Sequence, residues 1–258
     1  MDTTYIKSVK NLRDLGGMKT RDGHRIKNAC FVRGGSLDRL TPEDAERLTK
    51  RYGVAVIFDL RIEDEVTKEP DIVPDGVKYY NLQLRKDVRD MIKPREGERK
   101  KDILKRIPSM PEIYRMMVTN ETSVAALKQI FQTICNEVKP GHSVYVHCSE
   151  GKDRTEIVMG LIEYLLGVDE KTIEADYLVS NKAFTLRNNF LDFWLRIRYL
   201  NSDFFKEFRK MYHADSSMLV GAKEEIESTY GSMENFFRNT LGVTAEQEAA
   251  LKARVLLD

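Results

Sequence analysis

Apolar positions along the chain follow two rhythms. Short runs without alternation, Val54-Ala55-Val56-Ile57-Phe58 and, after the Pro140-Gly141 break, Ser143-Val144-Tyr145-Val146, have the length and β-branched content of strands covered on both faces of a parallel sheet. Cys30-Phe31-Val32-Arg33 and Val77-Lys78-Tyr79-Tyr80-Asn81-Leu82 read as two further strands. Elsewhere the apolar residues recur at helical spacing. Val124, Leu127, Phe131 and Ile134 mark one helix, and Ile157, Val158, Leu161, Ile162, Leu165 and Leu166 mark another that stops at Gly167.

Capping residues sharpen these boundaries. Thr41, Pro42, the acidic Glu43-Asp44 and the basic Lys50-Arg51 before Gly53 spell out one helix from N-cap to last turn. Asp169 caps a segment through Ile173 and Tyr177, and Ser232 and Thr244 are N-caps of the last two helices, the latter with Gln247 completing a capping box. Residues 1–24 form an irregular lead-in with the Asp22-Gly23 turn signal, and no repeat or linker divides residues 1–258. Parallel strands alternating with helices predict one three-layer α/β domain, its central, mostly parallel sheet flanked by helices and its functional groups at the strand ends.

Composition narrows the class. The 258 residues are 41% hydrophobic, enough for one substantial core, and the net charge of +1 comes without the basic-aromatic interleaving or zinc spacing of a nucleic-acid binder. Cys30, Cys135 and Cys148 are odd in number and far apart, which suits a reducing compartment. No apolar run has membrane-spanning length, and Met1-Asp2-Thr3-Thr4-Tyr5 begins no signal peptide, so the expectation is a cytoplasmic chain, with signal-less secretion left open. Between Arg85 and Arg106 ten Lys or Arg face five Asp or Glu, too polar for core.

The chemistry concentrates in His147-Cys148-Ser149-Glu150-Gly151-Lys152-Asp153-Arg154-Thr155, between a strand and a helix. A solitary cysteine after a buried strand is ordinarily an inert small hydrophobe. Here Arg154 lies six positions on, and the backbone N–H groups of Ser149, Glu150, Gly151 and Lys152 converge with the helix dipole on one point. That environment lowers a thiol pKa, and a planar guanidinium offers two parallel hydrogen bonds to phosphate oxygens. Gly151 permits the bend, Thr155 can donate to the cysteine sulfur, and His147 orients the loop.

With these residues in view, the chain resembles the cysteine-dependent protein tyrosine phosphatases. It is most similar to the bacterial and fungal branch whose loop reads His-Cys-x-x-Gly-Lys-Asp-Arg-Thr-Gly. Asn11-Leu12-Arg13-Asp14-Leu15-Gly16-Gly17, Asp59-Leu60-Arg61 and Tyr230-Gly231-Ser232 match further signatures of that branch. The resemblance implies the phosphatase-like fold with extra helices and a basic, lid-like insertion at residues 85–117. It implies hydrolysis of phosphate monoesters through a cysteinyl-phosphate intermediate, with phosphotyrosine in proteins as substrate and inorganic phosphate as product. The same mechanism on phosphoinositides is the alternative, for which Lys152 and the basic stretch speak, and with it goes peripheral contact with anionic lipid. Asp153 is the implied proton donor with Asp59 in reserve, and Arg13 either touches substrate or pins a turn beside Asp14. No metal or organic cofactor is implied.

One residue departs from the branch: Glu156 stands where glycine normally follows the threonine. With Glu150 and Asp153 it surrounds a dianion site with carboxylates, which predicts a raised Cys148 pKa and weaker phosphate binding. A second class of reading follows, a phosphatase-like module that binds phosphorylated partners with little turnover.

Overall fold

The computed structural model describes residues 6–84, 108–199, 209 and 211–257. The main sheet uses β1 (Arg13–Asp14), β3 (Phe31–Gly34), β4 (Val54–Asp59), β5 (Lys78–Asn81) and β6 (Ser143–His147). Their order is β1-β3-β6-β4-β5, with only β1 antiparallel. β2 (Arg25–Ile26) and β7 (Leu256–Leu257) pair separately.

The unalternating runs are the central strands because both of their faces are covered. Side chains still alternate between the two cores with period two. Phe31, Val56, Phe58, Val144 and Val146 enter a larger core, and Val32, Ile57 and Tyr145 enter a smaller one. The smaller core is closed by Leu48 of α1 (Pro42–Lys50) and by Ile6, Val9 and Leu12 of the lead-in. Against the larger core lie α3 (Met110–Thr119), α4 (Glu121–Glu137), α5 (Asp153–Leu165), α6 (Glu170–Ala183), α8 (Ser217–Tyr230) and α9 (Ala245–Val255). The short α2 (Glu63–Lys68) follows β4, and α7 (Thr185–Tyr199) follows α6. The three-layer α/β expectation holds.

The cap assignments hold at Thr41, Asp169 and Thr244, whose side chains accept from the N–H groups of Asp44, Thr172 and Gln247. Ser232 caps only the turn Met233–Asn235, which passes into the π-helical Phe236–Thr240. A π turn brings successive side chains closer in angle, so adjacent Phe236 and Phe237 both reach the core. Of the stretch 85–117 expected as a lid, residues 85–107 lie outside the described residues. Residues 110–117 belong to α3, whose Ile113, Tyr114 and Met117 are buried in the larger core, so that part is scaffold.

Topology places the loop after β6. β3 leaves toward α1 on the smaller-core side, whereas β6 leaves into α5 on the larger-core side. Neighbouring parallel strands whose exits diverge leave a crevice at their carboxyl ends. The loop presses against β3 so closely that a Cβ on Gly151 would sit 2.2 Å from the Gly34 carbonyl, and Gly151 has φ +63°. Gly151→Ala should therefore cost about 2–5 kcal/mol, combining about 1–2 for the left-handed backbone and about 1–3 for forced displacement. Gly17→Ala, at φ +86° with open space around it, should cost only about 1–2 kcal/mol. Urea midpoints of the two variants, compared with the parent, check the difference.

Candidate active site

The loop's carbonyls are pulled outward. Ser149 O accepts from Ser36 N at 3.4 Å, and Gly151 O accepts from Asn11 Nδ2 at 2.8 Å and from Arg33 Nη2 at 3.3 Å. Glu150 O accepts from the same Asn11 amide at 3.4 Å. In a trans peptide the N–H points opposite to the C=O, so the following N–H groups of Glu150, Gly151 and Lys152 turn inward. Asn11 and Arg33 thus make the anion cradle by holding its outside.

Cys148 lies at the start of this loop, 4% exposed. Burial pushes its thiol pKa up. The Arg154 charge, the Thr155 hydroxyl and the Glu150 N–H outweigh that, with Asp153 opposing, and the net shift is downward. The buried Thr155 hydroxyl has no other hydrogen-bond partner among the described residues, which leaves its donor for the sulfur. The raised pKa expected from three nearby carboxylates is not found, because two of them face elsewhere. Glu150 pairs with Arg187 of α7, and Glu156 turns beneath the loop.

Arg154 is held chiefly by Glu65, with longer contacts of 3.4 Å to Leu60 O and Ser149 Oγ. Its Nη1 and Nη2 donate to the two oxygens of Glu65 in α2 at 2.6 and 2.8 Å, and Glu65 also accepts from the Ser149 hydroxyl at 2.6 Å. Burial pushes the Glu65 carboxyl up, but the Arg154 and Ser149 hydrogen bonds win and bring it down to about 2. Glu65 therefore stays ionised and fixes the end of the fork. The Nε edge of the guanidinium has no acceptor among the described residues. Nη2 donates to Glu65 Oε1 and, more weakly, to Ser149 Oγ at 3.4 Å, so the Nε donor is the uncommitted one.

Asp153 opens α5 with its side chain about a quarter exposed (26%). Its Oδ1 accepts from the hydroxyl of Tyr114 at 2.8 Å and, more weakly, from Tyr177 at 3.4 Å. Lys152 Nζ lies 3.5 Å from Oδ2 and donates to Met211 O at 3.4 Å. Lys152 is only 1% exposed, so its ammonium braces the loop's exit instead of meeting solvent.

Asp59 does not face the cradle. It is fully buried, accepting from Arg61 and from the Tyr79 hydroxyl at 2.7 Å. Burial pushes its pKa up, but the His147 charge and these donors hold it below the usual carboxylate range. It is a fixed anion and not the reserve acid. His147 lies 3.1 Å from Asp71 and 3.9 Å from Asp59. Burial alone would lower its pKa, and the two carboxylates reverse this, leaving it raised. His147, Asp59 and Asp71 have the donor types of a metal site, but Arg61 Nη2 already sits 2.8 Å from Asp59 and 2.9 Å from Asp71, filling the place of a cation. His147 Nδ1 lies 3.3 Å from the Cys148 carbonyl at the start of the loop.

Arg13 and Asp14 are also outside the cradle. Arg13 donates to both oxygens of Asp176 at 2.9 and 3.0 Å and to Asn11 Oδ1 at 2.8 Å, so its guanidinium is committed to the turn and to α6. Asp14 accepts from the N–H groups of Gly16 and Ala29. Beside Arg13, Arg33 Nη1 lies 2.8 Å from Asp176 and 2.5 Å from Glu156, with all three side chains nearly or wholly inaccessible. Burial raises the Glu156 carboxyl to about 7 despite Arg33. Burial also raises Glu163 well above its ordinary value, aided by the Asp176 and Glu156 charges.

Sequence reasoning missed Asn11 as a clamp, and missed Arg33, Glu65, Asp71, Tyr114, Tyr177 and Asp176 altogether. Asn11 and Asp59-Leu60-Arg61 lay inside quoted motifs. Asp176 and Tyr177 lay on a helix read only for its periodicity, and nothing in their spacing links them to residue 153.

Two comparisons with known proteins bear on this geometry. The tyrosine phosphatase family model matches residues 4–257. The chain is 28% identical to the triple specificity protein phosphatase PtpB of Mycobacterium tuberculosis, over 93% of this chain and 94% of that one. It is 33% identical to a tyrosine-protein phosphatase of Nostoc commune over 58% of this chain, a match spanning 48% of that relative.

Two predictions follow from the electrostatics. At pH 6.5–7, iodoacetate should alkylate Cys148 at least about tenfold faster than Cys30 or Cys135, with phosphate protecting it. The other two thiols are raised by burial to about 12 and about 11. Peptide mapping by mass spectrometry reads the result. Glu156→Gly should lower stability by about 3–5 kcal/mol, since it leaves a buried arginine short of a carboxylate, and should bring no gain in hydrolytic rate. Denaturant unfolding and initial rates on a small aryl phosphate check both halves.

Proposed function

The chain belongs to the tyrosine phosphatase family, and on that premise we propose that its hydrolysis of phosphate monoesters runs through Cys148 with Asp153 as the proton donor. The observation that carries this reading is the joint placement of a thiol of lowered pKa, inward-facing loop amides and the open edge of Arg154 around one point. The thiolate attacks phosphorus, an S–P bond forms and the ester P–O bond breaks. The departing oxygen takes the proton from Asp153. Water then attacks the same phosphorus and gives its proton to Asp153, the S–P bond breaks, and inorganic phosphate leaves the regenerated thiolate. Arg154 and the amides hold the equatorial oxygens throughout.

Phosphotyrosine in proteins is the substrate class this site fits. The weakly active binding module leaned on Glu156, which faces Arg33 instead of the dianion. No helix among the described residues is long and apolar enough to cross a membrane.

Hydrolysis by the parent, Cys148→Ser and Asp153→Asn tests the reading. Cys148→Ser should lose at least about a thousandfold in kcat while still binding inorganic phosphate. Asp153→Asn should lose about 10²–10⁴-fold on a phosphotyrosine peptide and less on an aryl phosphate whose leaving group needs no proton. Unchanged turnover in Cys148→Ser would overturn the mechanism, and faster release from a phosphoinositide than from phosphotyrosine would overturn the substrate class.

A further inference from the structure

Side chains from three helices meet beside the cradle. Tyr114 of α3 and Tyr177 of α6 are both wholly buried, and their hydroxyls lie 2.7 Å apart. Asp153, at the start of α5, takes Tyr114 at 2.8 Å and Tyr177 at 3.4 Å, both on Oδ1. Each hydroxyl has a single proton to donate. The shorter path sets the direction: Tyr177 donates to Tyr114, and Tyr114 donates to Asp153. Burial, and after it the Asp153 charge, raises both phenols above their ordinary range, so they remain protonated donors at neutral pH.

Packing alone does not call for these hydroxyls, since phenylalanine would fill nearly the same volume without burying a polar group. Their chain ends on Asp153 Oδ1. With that oxygen already an acceptor, the proton of a neutral Asp153 belongs on Oδ2. Lys152 Nζ stands 3.5 Å from Oδ2, and Arg154, itself paired with Glu65 of α2, and the Cys148 sulfur act on the same carboxyl from the loop. Behind these, Glu156 of α5 acts on Tyr177, and His213 feels the Lys152 charge. Among the described residues α3 and α6 bring the two hydroxyls to Asp153. A hydrogen bond donated to Oδ1 strengthens as negative charge develops on the carboxyl, so it assists departure of the proton.

We propose, on the reading of Asp153 as the proton donor, that Tyr114 backed by Tyr177 is a positioning residue for that transfer, fixing the carboxyl by Oδ1 and leaving Oδ2 to carry the proton.

Steady-state rates of Tyr114→Phe, Tyr177→Phe, Asp153→Asn and the Tyr114→Phe/Asp153→Asn double variant, from about pH 5 to 9, test this. On a phosphotyrosine peptide Tyr114→Phe should lose about 5–50-fold in kcat/KM, and much less on an aryl phosphate whose leaving group needs no proton. The inhibition constant of inorganic phosphate should stay within about twofold, because the cradle is untouched. Without the donor the carboxyl keeps its proton to higher pH, so the alkaline limb of kcat/KM should move up by about half a unit or more. Tyr177→Phe should move it the same way by less. In Asp153→Asn that limb should be absent, and adding Tyr114→Phe should change kcat/KM by less than about twofold. A substitution that merely loosened the fold would slow both substrates alike and leave the limb in place. That result would overturn the proposal, as would a fully active Tyr114→Phe with an unmoved limb or additive losses in the double variant. Full activity in Asp153→Asn would instead overturn the assignment of the donor, and with it this role for Tyr114.

Discussion

Arg33 is the group on which the site's architecture turns. It is wholly buried at the end of β3, and a lone guanidinium there would be untenable. Asp176 and Glu156 neutralise it from two different helices, and its Nη2 reaches the Gly151 carbonyl. One side chain therefore ties the sheet to α5 and α6 and sets the outward orientation of a loop peptide. Arg13 repeats the arrangement a strand away, sharing Asp176 and bracing Asn11, whose amide holds the neighbouring carbonyls. Two arginines face Asp176 and Glu156, while burial pushes the Glu163 carboxyl well above its ordinary range.

That foundation explains how the cradle remains electropositive in a chain with many acids. Each carboxylate near the loop has a dedicated cation or hydroxyl: Glu65 has Arg154 and Ser149, Glu150 has Arg187, and Asp153 has Tyr114 and Lys152. Glu65 is the instructive case. By taking the Nη1/Nη2 end of Arg154 it leaves Nε as the donor available to the phosphate of the proposed reaction. It removes the rotational freedom that a long side chain would otherwise lose on binding. In the proposed reaction the cation meets the substrate already oriented, which is where electrostatic catalysis gains most.

Local patterns carried the fold. Strands β4 and β6, the helix begun by Thr41 and Pro42 and the strand-loop-helix around Cys148 were legible because each depends on neighbours in sequence. The strand-loop-helix brings the cysteine and arginine of the loop together for the same reason. What stayed hidden was long-range: Asn11 to Gly151, Arg33 to Asp176 and Tyr114 to Asp153 span 140, 143 and 39 positions. No local spacing encodes such pairs. Glu156 shows the converse error, since a residue adjacent to the loop in sequence suggested proximity to phosphate. A helix turns about 100° per residue, so the side chain one position after Thr155 points inward to Arg33.

Glu156 also shows how one substitution can join two parts of a structure. Glycine at that place would leave Arg33 with Asp176 alone, to be shared with Arg13, so the acid contributes to the charge balance beneath the loop. Its side chain is wholly inaccessible, so it acts inside the protein as the second anion beside a buried arginine. Through Arg33 it bears on the Gly151 carbonyl, one hydrogen bond away, and so on the orientation of a loop peptide.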